Sequence, residues 1–336
     1  MAEGFNPEFD PTGIEGGVDT NVLPWMAVPG AAGVHLKPLR ASGESGMWSA
    51  VLKIEAGAHL PMSSCLGGMD LFVLSGEIRY EEGGATSTLG PGTWGYVPAN
   101  THIASMAAPG DSEFLANFYS ALAFLGPDGS VRSVLTSADL GRLADEQGIA
   151  LVPNTLAECM RERPDPFGGQ GEPLAIASGN ASQLVVGGGA PSNGDSTFRH
   201  PHFVDTRAVE WVINPGLPEI ALKILRVSEE TGVVSLVVRH NGVAGPHNHL
   251  GASDFLVLSG RIGYRAGPPE GYGPGVWFFE PAGARHDATQ RLGDDDLIYL
   301  ANVYGPLTFD TGRGTPIEGV LSWMEYDALA KAAAAA

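Results

Sequence analysis

Gly245-Pro246-His247-Asn248-His249-Leu250-Gly251-Ala252-Ser253-Asp254, running into Phe255-Leu256-Val257-Leu258-Ser259-Gly260, carries the pattern on which the fold is read. On an extended strand, side chains two positions apart share a face, so His247 and His249 can reach one metal ion. The carboxylate of Asp254 can close around the same ion as the chain turns into the next strand. A third imidazole follows at His286, after Gly275-Val276-Trp277-Phe278-Phe279-Glu280-Pro281-Ala282-Gly283-Ala284-Arg285. Three neutral imidazoles with a carboxylate suit Fe(II), Mn(II), Ni(II), Cu(II) or Zn(II), and spacing alone does not choose among them. The runs Asp254–Leu258 and Gly232-Val233-Val234-Ser235-Leu236-Val237-Val238 are apolar and rich in β-branched residues, which predicts strands.

Working outward, the chain repeats itself. Val18-Asp19-Thr20, Trp25 and Leu36-Lys37 recur as Val204-Asp205-Thr206, Trp211 and Leu222-Lys223, at an offset of 186. Asp70, Val73-Leu74-Ser75-Gly76 and Tyr80 recur as Asp254, Val257-Leu258-Ser259-Gly260 and Tyr264; Gly90-Pro91-Gly92 and Trp94 recur as Gly273-Pro274-Gly275 and Trp277. Leu115-Ala116-Asn117 with Tyr119 recurs as Leu300-Ala301-Asn302 with Tyr304. Offsets that drift by so little over more than a hundred positions mark a tandem duplication. The reading is an N-terminal extension over 1–17, a first module over 18–145, a Gly/Pro-rich linker over 146–203 with a strand at Gln183-Leu184-Val185-Val186, and a second module over 204–336. Each module ends in a helical pattern, from Ser137 and from Ser322.

Composition agrees with two turn-rich β-domains. The chain has 336 residues, 47 of them Gly and 25 Pro, and a hydrophobic fraction of 43%, enough to offset the entropy of ordering. Its net charge of −19 argues against nucleic acid, whose phosphates need clustered Lys and Arg, and against anionic membranes. No apolar run approaches the roughly 20 residues of a spanning helix. The start, Met1-Ala2-Glu3-Gly4-Phe5, has no secretory pattern, and two cysteines, Cys65 and Cys159, suit a reducing compartment; a cytoplasmic protein is expected.

These residues resemble the cupin superfamily, whose motifs are G-x5-H-x-H-x3,4-E-x6-G and G-x5-P-x-G-x2-H. Gly275, Pro281, Gly283 and His286 match the second; His247, His249 and Gly260 match the first, with Asp254 where the pattern has Glu. The resemblance implies an all-β bicupin: two tandem double-stranded β-helix, or jelly-roll, barrels with a few short helices. The stretch Phe279–His286, with Leu300-Ala301-Asn302-Val303-Tyr304, looks more specifically like the acetylacetone and 2,4'-dihydroxyacetophenone dioxygenases, which are ChrR-like cupins. That likeness implies Fe(II) on three histidines, O2 as cosubstrate, cleavage of a carbon–carbon bond beside a carbonyl in a small molecule, and a glutamate near the metal, here Glu280.

The first module differs. Ser63 and Cys65 stand where His247 and His249 do, Val97 replaces Glu280, and His102 is left as the counterpart of His286, so this module is expected to be metal-free. Tyr264, Arg239 and Asn302 are candidate pocket residues, and His240, beside Asn241-Gly242, reads as a loop residue. Three functions remain open: a metal-dependent dioxygenase, a metal-cupin isomerase, lyase or decarboxylase using the ion as Lewis acid, and a non-enzymatic small-molecule sensor. Monomer and homodimer both fit a fused pair.

Overall fold

The computed structural model describes residues 17–159, 171–178, 184–185, 202–214, 216–264, 268–286, 288–311 and 315–334. The rest of the N-terminal extension, Gln183 and Val186 of the linker run, and the side chains of Cys159 and His286 lie outside the described set. Two β-barrels account for most of what is described, as the duplication predicts. In the first, one sheet runs in the order Thr93–Val97, Met69–Ser75, Ser112–Phe118, Trp48–Ile54, Val34–Ala41, Met26–Ala27, and the facing sheet contains Leu122–Leu125, Ser63–Cys65, Thr101–Ala107 and Ile78–Glu82. The second barrel repeats this with Val276–Glu280, Ser253–Ser259, Ile298–Val303, Val234–His240 and Leu217–Val227, faced by strands that include Arg285–His286, His247–His249 and Leu307–Phe309.

Strand alternation divides the burial. Along Met69–Ser75, Met69, Leu71 and Val73 fill the first barrel, while Phe72 and Leu74 enter a separate apolar layer between the barrels. Along Ser253–Ser259, Phe255 and Val257 fill the second barrel, and Leu256 and Leu258 enter the same shared layer. Sheets buried on both faces need near-continuous apolar runs, which is why these strands look unpatterned in sequence.

The repeat boundaries of the sequence are not the boundaries in space. Gly17–Asp19, at the head of the first module, pairs antiparallel with Val276–Phe278 of the second barrel, and Phe203–Asp205 pairs with Thr93–Gly95 of the first. The two modules therefore exchange strands. Thr20 Oγ1 donates to the Gly275 carbonyl at 2.5 Å, and Thr206 Oγ1 to the Gly92 carbonyl at 2.6 Å. Gly92 has φ +84°, and a Cβ there would meet the Leu184 carbonyl oxygen at 2.0 Å, so this turn admits only glycine. Lys37 Nζ and Lys223 Nζ each donate at 2.8 Å to the carbonyl of their Thr, and each lies over its Trp, Trp25 or Trp211. Burial lowers both lysines to about 8.

The linker reading changes too. Val152, Leu174, Ile176 and Val185 are buried in the shared layer, and Leu184-Val185 forms a helical turn where a strand was expected. Both C-terminal helices are present as predicted. Ser137–Glu146 starts with a capping box between Thr136 and Asp139, and Trp323–Ala334 starts with Ser322 Oγ donating to Glu325. The second helix plants Tyr326 under the second barrel at 3% exposure.

Candidate metal centre

His247–His249 is a short strand of the second barrel's facing sheet, and both imidazoles are buried. Their ring centroids are 5.0 Å apart, as the two-residue spacing requires. His247 Nδ1 donates to the Gly245 carbonyl at 2.9 Å, which places the lone pair of the neutral ring on Nε2. The backbone register sets His286 directly opposite His247, with Asn248 opposite Arg285.

Glu280 ends the strand Val276–Glu280 and faces the barrel interior, because Trp277 and Phe279 take the alternate positions toward the shared layer. It is 3% exposed. Its Oε2 lies 3.0 Å from His249 Nε2 and accepts from Ser253 Oγ at 3.0 Å; its Oε1 accepts from the Tyr264 hydroxyl at 3.2 Å. Burial, then the nearby Glu280 charge, pushes the Tyr264 phenol well up, so it keeps its proton and acts as donor. Ser253 and Tyr264 thus hold both oxygens of a buried carboxylate beside an imidazole. Ser253 is Glu280's register partner.

The remaining sequence candidates divide by face. Tyr264 lines the interior cavity, whereas Arg239 and Asn302 point the other way. Arg239 lies over the Trp211 ring, and Asn302 bonds Ser235 and Asp254. Asp254 touches the cavity wall, but its carboxylate accepts from the Tyr304 hydroxyl and from Asn302 Nδ2 at 3.3 Å. The first module repeats that trio, with Asp70 accepting from Tyr119 at 2.8 Å and from Asn117 at 3.0 Å. There the trio recurs beside Ser63 and Cys65, which stand in place of the histidines. His240 is buried at the end of its strand, 3.3 Å from the Tyr299 hydroxyl, not in a loop.

In the first barrel the corresponding interior is filled. Ser63 and Cys65 are buried, and burial raises the Cys65 thiol to about 12, so no thiolate forms at neutral pH. Ser63 pairs with Ile103, and His102, one position earlier, pairs with Ser64 and is exposed. A shift of one residue changes the face. Ile103, buried in the barrel core, therefore stands where His286 stands in the second barrel, and His102 is not its counterpart in space. Tyr80, the repeat of Tyr264, bonds Glu82 on its own strand, because Val97 occupies the position of Glu280.

The sequence profile of the ChrR cupin-like domain matches residues 15–123 and again 199–305. The chain belongs to this cupin family. No curated protein sequence matches it. Among solved structures, an acetylacetone dioxygenase from Acinetobacter johnsonii is similar at 19% identity, over 43% of this chain and 91% of that one, with a TM-score of 0.34. A candidate acetylacetone dioxygenase from Methylibium petroleiphilum is similar at 25% identity, over 43% and 99%, with a TM-score of 0.35. A candidate dioxygenase from Nostoc punctiforme is similar at 12% identity over 96% and 89%, with a TM-score of 0.50, and shares the fold along nearly the whole chain.

In this cupin the second barrel encloses a cavity of about 130 Å³. An apolar cavity of roughly 150 Å³ accommodates benzene. Its polar side groups gather around His247, His249, Ser253, Tyr264 and Glu280, and Leu236, Val238, Phe309 and Leu321 are among its apolar walls. Tyr299 and Tyr326, which sequence reasoning missed, also line it. Among the described side chains alone, no group of three His, Cys, Asp or Glu is gathered closely enough to hold an ion. Imidazole nitrogens beside one carboxylate are nonetheless a donor set suited to a borderline divalent metal, with the position opposite His247 taken by another histidine. No helix among the described residues is long and apolar enough to cross a membrane.

Proposed function

We propose that the second barrel binds one divalent metal ion, iron(II) by preference, through His247, His249 and His286, and uses O2 to cleave a carbon–carbon bond beside a carbonyl in a small β-diketone or hydroxyacetophenone-like compound. The observation that supports the reading best is the pairing of two buried imidazoles with a buried, doubly held carboxylate at the wall of a benzene-sized apolar cavity. When bound, the ion supplies Lewis acidity toward an enolisable carbonyl and redox capacity toward O2. The chain's own groups do the rest. His247 is oriented by Gly245, so its Nε2 is presented as a donor atom. Glu280 takes the acidic proton from the substrate carbon between or beside the carbonyls, onto Oε2. Ser253 and Tyr264 keep that carboxylate in place and limit its rotation. The apolar walls keep water from the reacting atoms. In this reading Asp254 is not a ligand, and the first barrel binds no metal.

The test is His286→Ala, assayed for bound metal by elemental analysis and for O2 consumption with a β-diketone. Loss of both is expected, together with a single metal equivalent per wild-type chain. Retention of both in the variant overturns the assignment, and two equivalents would overturn the metal-free reading of the first barrel.

A further inference from the structure

Arg40, on the first barrel's strand Val34–Ala41, is only 7% exposed, and its guanidinium carbon lies over the Phe279 ring of the second barrel, 3.9 Å from the centroid. Its Nε donates to Asn154 Oδ1 at 2.7 Å. Its two terminal amino groups donate to no other described residue. The contrast with Arg207 and Arg285 is sharp, since both close directly on carboxylates, Asp205 and Asp310, at 2.7 Å. These amino groups are not sealed in the core but open on a cleft, where water or a ligand has to accept from them. Arg40 lines a cleft of about 430 Å³ between the modules, whose walls include the hydroxyl-bearing Ser42, Ser45 and Thr155. The Phe279 ring on one side and the Asn154 bond at Nε hold the guanidinium, leaving its two terminal nitrogens as a fork for a planar, two-oxygen acceptor.

We propose that this inter-module cleft binds a small free monocarboxylate, with its two oxygens on the Arg40 terminal nitrogens. Glu44 and Glu158, which also line the cleft, select against ligands of higher negative charge. The back wall contains Phe279, one residue before Glu280, so the cleft and the cavity lie on opposite faces of one strand. The site is independent of the metal reading.

Calorimetric titration of the full chain, freed of metal with a chelator, with propionate, its neutral analogue propionamide, and phosphate tests the idea. Propionate is expected to bind and the other two are not. Arg40→Lys, which keeps the charge but not the fork, should weaken binding about tenfold, and Ala282→Leu at the rim should abolish it without changing the thermal midpoint. His249→Ala should leave it unchanged. No binding of propionate to the wild-type chain, equal binding of propionamide, or a loss of binding in His249→Ala with retention in both cleft variants would each overturn the proposal.

Discussion

The two barrels share a plan and differ in their interiors. In the second, His247, His249 and Glu280 border a cavity; in the first, Ser63, Cys65 and Val97 take those places in a filled core. Apart from Tyr80 and Tyr264, the repeated polar residues lie elsewhere. Thr20 and Thr206, Lys37 and Lys223, Asp70 and Asp254, and Tyr119 and Tyr304 all serve the contact between the barrels. The duplication preserves the interface on both sides, while the buried imidazoles and Glu280 belong to the second barrel only. Each barrel supplies a strand, a turn and half of an apolar layer to the other.

The strongest test of this asymmetry is to move it. His249→Ala should remove bound metal and reduce O2 consumption to background. The converse pair Ser63→His with Cys65→His should create no stable metal site in the first barrel, because Ile103 occupies the position opposite Ser63. Metal retained by that double variant at one extra equivalent would break the comparison. Next in size, Glu280→Gln should keep the metal and lower kcat by roughly 10²–10⁴-fold, the range for loss of a general base. Tyr264→Phe should cost about tenfold or less, since Ser253 still holds the other oxygen.

The interface makes its own predictions. Asp70 is pushed to about 6 and Asp254 to about 7, each by burial first, with the Asp70 charge second for Asp254. Tyr119, Tyr304, Asn117, Asn302, Arg40 and Arg226 surround the pair. Because the folded chain binds protons that the unfolded chain has released, this pair's contribution to stability falls as pH rises from about 4 through the two raised values. The thermal midpoint measured across that window should show this loss, and Asp70→Asn with Asp254→Asn should flatten it. An unchanged slope in the double variant would separate these acids from the interface. Smallest of all, Thr20→Val and Thr206→Val should each cost about 1 kcal/mol in denaturant unfolding, and by similar amounts, since the two strand exchanges are alike.

Much of this was legible in the sequence. The repeat predicted two barrels, and the His-x-His spacing predicted two imidazoles on one interior face. Glu280 was placed near the metal by resemblance, and the alternation Val276–Glu280 puts it in the interior. Asp254 sits at a motif position and borders the cavity, while its carboxylate accepts from Tyr304 and Asn302, a partnership that no motif announces. His102 was misleading because sequence matching ignored a one-residue difference in strand register. Ser253 and Tyr299 carry no motif, and only their proximity to Glu280 and the cavity reveals them.

By itself, the sequence determined the duplication, the all-β class and the chemistry available at His247, His249, His286 and Glu280, because residue type and a two-residue period are local properties of the chain. The tertiary structure decided which repeated residues bind the modules together, that Gly17–Asp19 and Phe203–Asp205 are exchanged, and that Asp254 faces the interface. Those outcomes depend on which strand pairs with which and in what register, and pairing across more than a hundred residues leaves no mark on either segment alone.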